Sequence, residues 1–157
     1  ALDEDDRALL IRQYRHPISS HEWEIPAGLL DVAGEDPLLA AQRELAEEAD
    51  IVAEHWAVLV DYFSSPGGLN EALRIYLARG LTAVPDGELH ERRGEEAHIL
   101  HRRVPLDEVV AAVLAGDLHN STLVIGALAA QRMRDDGWTS LRPADSPWPQ
   151  HPTNRHH

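Results

Sequence analysis

The chain has 157 residues, of which 43% are hydrophobic and 26% charged, and this length and composition predict one globular domain with its own core. The formal net charge of −13 argues against a general nucleic-acid or anionic-membrane binder, because such partners attract basic patches. The lack of cysteine excludes disulfides, thiolate metal sites and cysteine nucleophiles. No apolar run approaches the roughly 18 residues of a membrane span, so we expect a cytoplasmic protein.

Apolar runs and capping residues predict strands interspersed with helices, which is typical of a mixed α/β fold. In chain order, we expect a strand over 8–14, a helix over 37–49, strands over 57–62, 72–78 and 99–104, and helices over 106–115 and 122–134. Asp36 and Pro37 favour a helix start, and Gly116 favours a helix end.

The last helix marks the end of the expected domain. Asn120 and Ser121 are candidates for its N-cap, and it should end near Gly137. The sequence then becomes rich in proline, which predicts a single domain over 1–137 and an irregular tail over 138–157. We expect the four tryptophans in the core or at an interface rather than against a nucleobase: Trp23, Trp56, Trp138 and Trp148.

The first predicted helix has an acidic face. Glu44, Glu47 and Glu48 lie within one turn, and like charges four apart destabilise a helix by roughly 0.2–0.5 kcal/mol. Arg43 can pair with Glu47, but the other carboxylates need a further cation. Hard oxygen ligands of this kind suit Mg²⁺ or Mn²⁺. On the helix alone, an acidic surface exposed to solvent is the simpler interpretation.

The residues before this helix change that interpretation. Together with the helix they resemble the Nudix box, a pattern of glycine, glutamate and Arg-Glu-aliphatic-x-Glu-Glu at fixed spacing. The residues that match this pattern are Gly28, Glu35, Arg43, Glu44, Leu45, Glu47, Glu48 and Ile51. Two positions depart from the pattern. Six residues rather than five separate Gly28 from Glu35, and Asp50 replaces a glycine at a helix end where Asp can adopt the αL conformation.

The resemblance implies a metal site. By position, Glu44 and Glu48 would be direct ligands of Mg²⁺ or Mn²⁺, Glu47 a ligand or a close catalytic neighbour, and the backbone carbonyl of Ala27 a further ligand. Ala27 and Gly28 would also border the substrate.

The resemblance also implies a fold and a reaction. The fold would be an α/β/α sandwich around a mixed β-sheet, in which Glu35 and Arg43 support the box. The reaction would be attack of water on phosphorus in a nucleoside diphosphate derivative, without a covalent intermediate.

Two features resemble the ADP-ribose pyrophosphatase subfamily, actinobacterial type. The first combines residues 13–17 (QYRHP) with residues 23–28 (WEIPAG), and it implies that Arg15 contacts the diphosphate. The alternative is an arginine in a surface ion pair. The second is Pro66, 15 residues after Ile51, a substrate-binding candidate that could equally be an ordinary turn proline.

A third feature is the acidic stretch at residues 94–99 (GEEAHI). In related enzymes a loop here supplies a catalytic glutamate, and the register favours Glu95 over Glu96. Glu88 and Glu91 could substitute, and an acidic surface loop is the alternative.

Enzymes of this type usually begin with a small β domain that is exchanged across a homodimer. The sequence starts inside the expected catalytic sheet, so that segment is either missing from the protein or lies outside this sequence. We expect a homodimer.

The sequence thus predicts metal-dependent hydrolysis of ADP-ribose to AMP and ribose 5-phosphate, with a small-molecule nucleoside diphosphate as partner and neither nucleic acid nor membrane. The alternatives are a Nudix hydrolase of a nucleotide sugar, dinucleoside polyphosphate or nucleoside triphosphate, and a regulatory module that binds ADP-ribose without hydrolysis.

Overall fold

The computed structural model describes residues 1–30, 34–85, 87, 89–90 and 99–151. Three helices and six strands occur in this part of the chain. In order they are β1 Arg7–Arg15, β2 Ser20–Glu24, α1 Pro37–Ala49, β3 Ile51–Phe63, β4 Ala72–Ala83, β5 Leu100–Pro105, α2 Leu106–Ala115, α3 Ser121–Asp135 and β6 Arg142–Pro143, with a short 3₁₀ helix at His16–Ile18 between β1 and β2.

The strands form two three-stranded sheets, with the orders β2-β1-β5 and β4-β3-β6. Every pairing between these six strands is antiparallel. The described strands thus contain no parallel pair, whereas the expected sandwich surrounds a mixed sheet. The β1–β2 and β3–β4 pairs are hairpins, and the short connection in a hairpin requires antiparallel neighbours.

The core has helices on both sides of the strands, as a sandwich requires. Successive strand residues point to opposite faces, and in β1 Leu10 packs in a cluster with Leu106 of α2 and Leu123 of α3. Leu9 instead packs in a second cluster with Leu45 of α1. Helix α1 therefore covers one side, and α2 and α3 cover the other, so the α/β/α layering is confirmed.

Local capping chemistry explains the helix boundaries. The side chain of Asp36 accepts a hydrogen bond from Leu38 N at 2.8 Å, with Pro37 in the first turn, so α1 begins where predicted. Asp50 ends α1 in the left-handed conformation, with φ of 54°, as expected of a residue in the glycine position. Asn120 caps α3 by accepting from Leu123 N at 2.9 Å. Ser121 is the first residue of α3 and not its cap.

The strands differ more from the prediction. Both β3 and β4 are longer, because they pair almost from end to end, from Ile51↔Ala83 to Phe63↔Ala72. The sequence SHEWE of β2 lacks a run of apolar residues and was not predicted as a strand. Its register against β1, from Ile11↔Glu24 to Arg15↔Ser20, comes from the hairpin.

The described part of the tail packs on the second sheet. Strand β6 pairs with β3, and Trp148 is 7% exposed. The guanidinium of Arg74 holds this segment. It donates to both carboxylate oxygens of Asp61 at 2.7 and 3.0 Å and to the carbonyl of Ser146 at 2.7 Å, and it lies 4.8 Å from the centre of the Trp148 ring. Within the described residues, no helix has the length and apolar character needed to cross a membrane.

We expect Asp61→Asn to lower the free energy of unfolding near neutral pH by about 3–5 kcal/mol, because the Arg74 side chain is buried and loses its charged partner. Burial raises the pKa of Asp61, but hydrogen bonds from Arg74 and Arg142 outweigh this and hold the pKa below its ordinary value of 3.8. A carboxylate with a lowered folded pKa stabilises the fold above its ordinary pKa, and this stabilisation is lost as the pH falls through the folded pKa.

Urea unfolding of the wild type and the variant between pH 3 and pH 7 measures this difference, which should shrink at the acidic end. Asp145→Asn, which changes an exposed carboxylate in the same tail, is the control and should unfold like the wild type. Equal unfolding midpoints for Asp61→Asn and Asp145→Asn at pH 7 would contradict the role assigned to Asp61.

Candidate active site

The acidic helix is organised around one arginine. Arg43 donates through Nε and Nη2 to the two carboxylate oxygens of Glu35, each at 3.1 Å. Its Nη1 donates to Glu44 at 2.7 Å and to Glu47 at 3.1 Å. Glu47 lies one helical turn after Arg43, whereas Glu35 reaches the guanidinium from the loop before α1. The predicted contact between Arg43 and Glu47 is therefore present, together with two further carboxylates.

These contacts keep Arg43 charged. The hydrogen bonds to Glu35 are the largest cause that raises the pKa of Arg43 above its usual range, burial opposes the rise, and Glu44 and Glu47 add to it. The permanent positive charge offsets the mutual repulsion that the sequence indicates for the acidic face.

Glu48 is held separately. It is 6% exposed, and its Oε2 accepts a hydrogen bond from the backbone N–H of Ala27 at 2.9 Å. The Nε2 atom of His101 in β5 also lies 2.7 Å from the backbone oxygen of Glu48. Two elements distant in sequence thus fix the end of α1 that carries Glu48.

Gly28 lies directly against Glu44. A Cβ atom added to Gly28 would be 2.0 Å from Cδ of Glu44 and 2.1 Å from its Oε1. These separations are far below any allowed contact, so the loop can approach the carboxylate only because residue 28 has no side chain. This contact gives a physical reason for a glycine at the first position of the box.

The donor set suits a hard cation by its chemistry, since Glu44, Glu47, Glu48 and the Ala27 carbonyl would all present oxygen. The arrangement is different from a formed metal site. In the part of the chain that the structure describes, no three Asp, Glu or His side chains are grouped so that they could hold an ion. Glu44 and Glu47 instead contact Arg43, and Ala27 contacts Glu48 through its N–H.

The predicted phosphate-binding arginine lies on the β1–β2 hairpin. Arg15 donates to both oxygens of Glu24, from Nε at 2.8 Å and from Nη2 at 2.5 Å. The Glu24 side chain is 3% exposed and the Arg15 side chain 44% exposed, so the pair joins a buried anion to a cation that reaches solvent.

A cavity of about 360 Å³ lies beside the box. Ala27, Gly28 and Glu44 line one part of it, and the sheet and tail contribute aromatic walls from Trp56, Tyr76 and Trp148. Arg15 and Pro66 are outside its lining. The tail also brings His151 to this cavity, which the sequence did not predict.

Of the remaining predicted residues, Pro66 does not line this cavity and the loop glutamates lie outside the described part of the chain. Pro66 is in the turn between β3 and β4, where the carbonyl of Ser65 accepts from Gly68 N at 2.9 Å and from Leu69 N at 2.8 Å. Glu95 and Glu96 lie outside the described residues, as do the alternatives Glu88 and Glu91.

Sequence reasoning missed Glu24 and His101. Glu24 lies within the WEIPAG segment, and an acidic residue in a strand that pairs with an arginine-bearing strand could have indicated the ion pair. His101 gives no comparable pattern, because its contact joins positions 53 apart.

The chain is similar to known proteins. The model of the NUDIX domain matches residues 1–123. An ADP-ribose pyrophosphatase of Mycobacterium tuberculosis is 42% identical over 153 residues, which cover 98% of this chain and 72% of that protein. A methanol dehydrogenase activator of Bacillus methanolicus is 38% identical over 82 residues, covering 52% of this chain and 44% of that protein.

The fold has solved counterparts as well. A crystal structure of an ADP compounds hydrolase superposes with a TM-score of 0.73 at 25% identity, covering 87% of this chain and 71% of that one. The domain match covers well over half of the chain, and it includes the hairpin, the box helix and both sheets except β6. The chain belongs to the Nudix family.

Proposed function

We propose that the protein hydrolyses the diphosphate of ADP-ribose to AMP and ribose 5-phosphate, with Mg²⁺ or Mn²⁺ as cofactor. The observation that carries the proposal is the contact of Arg43 with Glu35, Glu44 and Glu47, next to the loop whose Ala27 N–H binds Glu48. The similarity of the chain to the Mycobacterium tuberculosis ADP-ribose pyrophosphatase, over nearly its whole length, supports the choice of substrate.

The overall reaction consumes one water. Its oxygen forms a new bond to one phosphorus of the diphosphate, the bond from that phosphorus to the bridging oxygen breaks, and the other phosphate leaves. A divalent cation, when bound by Glu44, Glu47, Glu48 and the Ala27 carbonyl, supplies positive charge that polarises the phosphate and makes water more acidic.

The chain's own groups have complementary roles. Arg43 holds Glu44 and Glu47 close together, and the Ala27 N–H orients Glu48. Arg15 neutralises charge on the diphosphate. Glu95, or Glu96 in its place, accepts the proton of the attacking water, and Glu47 assists as a neighbouring base.

The cavity next to Gly28 supplies a site for the parts of the substrate beyond the diphosphate. Its volume of about 360 Å³ is at the lower end of the range for small-molecule sites. Pro66 would limit the substrate from the hairpin between β3 and β4. We further propose a cytoplasmic homodimer that acts on a small-molecule nucleoside diphosphate and binds neither nucleic acid nor membrane, in line with the net charge of −13.

A substrate panel tests the proposal directly. ADP-ribose, GDP-mannose, diadenosine polyphosphates and nucleoside triphosphates are incubated with Mg²⁺ or Mn²⁺, or with EDTA, and the products are separated by chromatography. We expect ADP-ribose to have the highest kcat/KM and EDTA to abolish turnover. A much better second substrate would contradict the specificity, and binding of ADP-ribose without any turnover would favour the regulatory module.

Glu48→Gln should lower kcat by two or more orders of magnitude, because the change removes a charged ligand while it keeps the shape of the side chain. The matched control is Glu108→Gln, which neutralises an exposed glutamate in the first turn of α2. Steady-state kinetics of both variants measures the loss of kcat, and thermal unfolding shows whether each variant is folded. Near-normal kcat in Glu48→Gln would remove Glu48 from the metal site.

Gly28→Ala should lower kcat by about 10²-fold, because its methyl group displaces the Glu44 carboxylate by an ångström or more. The side chain of Glu44 is flexible at that end, so the melting temperature should change little. Gly67→Ala is the control, since an added Cβ there meets nothing within 4 Å. Full activity in Gly28→Ala would show that the position of Glu44 is unimportant for the reaction.

A further inference from the structure

Glu24 is a buried charge without a role in the reaction described above. It is the last residue of β2 and is 2% exposed, one of few buried charged residues among those the structure describes. Transfer of a carboxylate out of water costs several kcal/mol, and an ion pair often does no more than offset that cost. An apolar residue would stabilise this end of β2 at least as well, so the fold alone does not account for Glu24.

The contacts of Glu24 are directed at one guanidinium. Its two oxygens accept from Nε and Nη2 of Arg15 at 2.8 and 2.5 Å, and the amide of Gln13 lies 3.4 Å from Oε2. Ile11, Gln13 and Arg15 are spaced two apart on β1, so their side chains lie on one face of the sheet. Glu24 pairs with Ile11 and therefore lies on the same face. Two parallel hydrogen bonds fix the plane of a guanidinium as well as its position.

The two side chains differ in exposure. The Glu24 side chain is 3% exposed and the Arg15 side chain 44% exposed, so a buried carboxylate holds an arginine that reaches solvent. An arginine on a strand end would otherwise populate many rotamers, and ordering it on substrate binding would cost free energy.

The position of Glu24 along the chain joins this pair to the box. Three residues later, the N–H of Ala27 binds Glu48, and Gly28 lies against Glu44. The five-residue segment 24–28 therefore contacts the phosphate-binding candidate at one end and two metal-ligand candidates at the other.

We propose that Glu24 is a positioning residue that holds the Arg15 guanidinium in the orientation that receives the substrate's diphosphate. This inference rests on the proposed function. Glu24 itself does not touch the substrate, and it acts only through Arg15.

A double-mutant cycle tests the dependence on Arg15. Glu24→Gln should raise KM for ADP-ribose about tenfold while kcat changes less than about threefold, because the lost interaction serves binding. Arg15→Gln should raise KM at least as much. In the Arg15→Gln background, Glu24→Gln should add less than a factor of two. Multiplicative effects of the two changes would overturn the proposal.

Two further variants guard against misfolding. Glu24→Asp keeps the negative charge, but its side chain is one methylene shorter. Arg15→Lys keeps the positive charge but cannot form two parallel hydrogen bonds to a carboxylate. Each variant should reproduce the rise in KM. If Glu24→Gln does not fold, Glu24→Asp takes its place in the cycle. If both single variants, Glu24→Asp and Arg15→Lys, had a normal KM, the proposal that Glu24 orients the Arg15 guanidinium would be contradicted.

Asp3→Asn is the matched control. Asp3 is 7% exposed and holds Arg7 and Arg103, so it is also a buried carboxylate paired with arginines. It should lower the melting temperature without a change in KM. A rise in KM equal to that of Glu24→Gln would assign the effect to general destabilisation and overturn the positioning role.

The same cycle measured as Kd for ADP-ribose by calorimetry, with no divalent cation, separates the two proposals. If the wild type binds ADP-ribose in this assay but gives no turnover when Mg²⁺ or Mn²⁺ is added, and the cycle is still non-additive, the hydrolase function fails and the positioning role stands. If turnover is normal and the cycle is additive, only the positioning role fails. Absence of any binding or turnover contradicts both.

Discussion

The site depends on the repulsion between carboxylates on one helical turn and on the guanidinium that offsets it. Arg43 contacts Glu44 and Glu47 with a single nitrogen and holds Glu35 with the rest of its fork. The helix can therefore keep a concentration of negative charge that would otherwise destabilise it. Glu44 and Glu47 therefore contact an internal cation, whereas Glu48 contacts the backbone N–H of Ala27.

The loop before α1 has to approach this charge closely. Gly28 permits contact with Glu44, and the Ala27 N–H binds Glu48, so the loop and the helix fix each other. His101 secures the backbone of Glu48 from the neighbouring strand β5. The antiparallel β1–β2 hairpin carries the Arg15–Glu24 pair, and the short segment after Glu24 leads directly to Ala27 and Gly28.

The sequence predicted α1 to its terminal residues because Asp36 and Pro37 are typical of a helix start and Asp50 stands where the box pattern has a glycine cap, and it predicted the box because its spacing is specific. Strand β2 and the end-to-end pairing of β3 with β4 depend on hairpin register, which apolar patterning does not reveal. The Arg15–Glu24 and His101–Glu48 contacts arise only when distant strands meet. The roles of Glu95 and Glu96 remain predictions from the family pattern.

The central claim is that the carboxylates gathered by Arg43 receive a divalent cation beside the diphosphate. The most direct test is a crystal structure with Mn²⁺ and a non-hydrolysable ADP-ribose analogue, in which anomalous scattering locates the metal. The account predicts an anomalous peak within bonding distance of the carboxylate oxygens of Glu44 and Glu48, next to the analogue's phosphates. A fully occupied metal bound to the phosphates but away from both glutamates would contradict it.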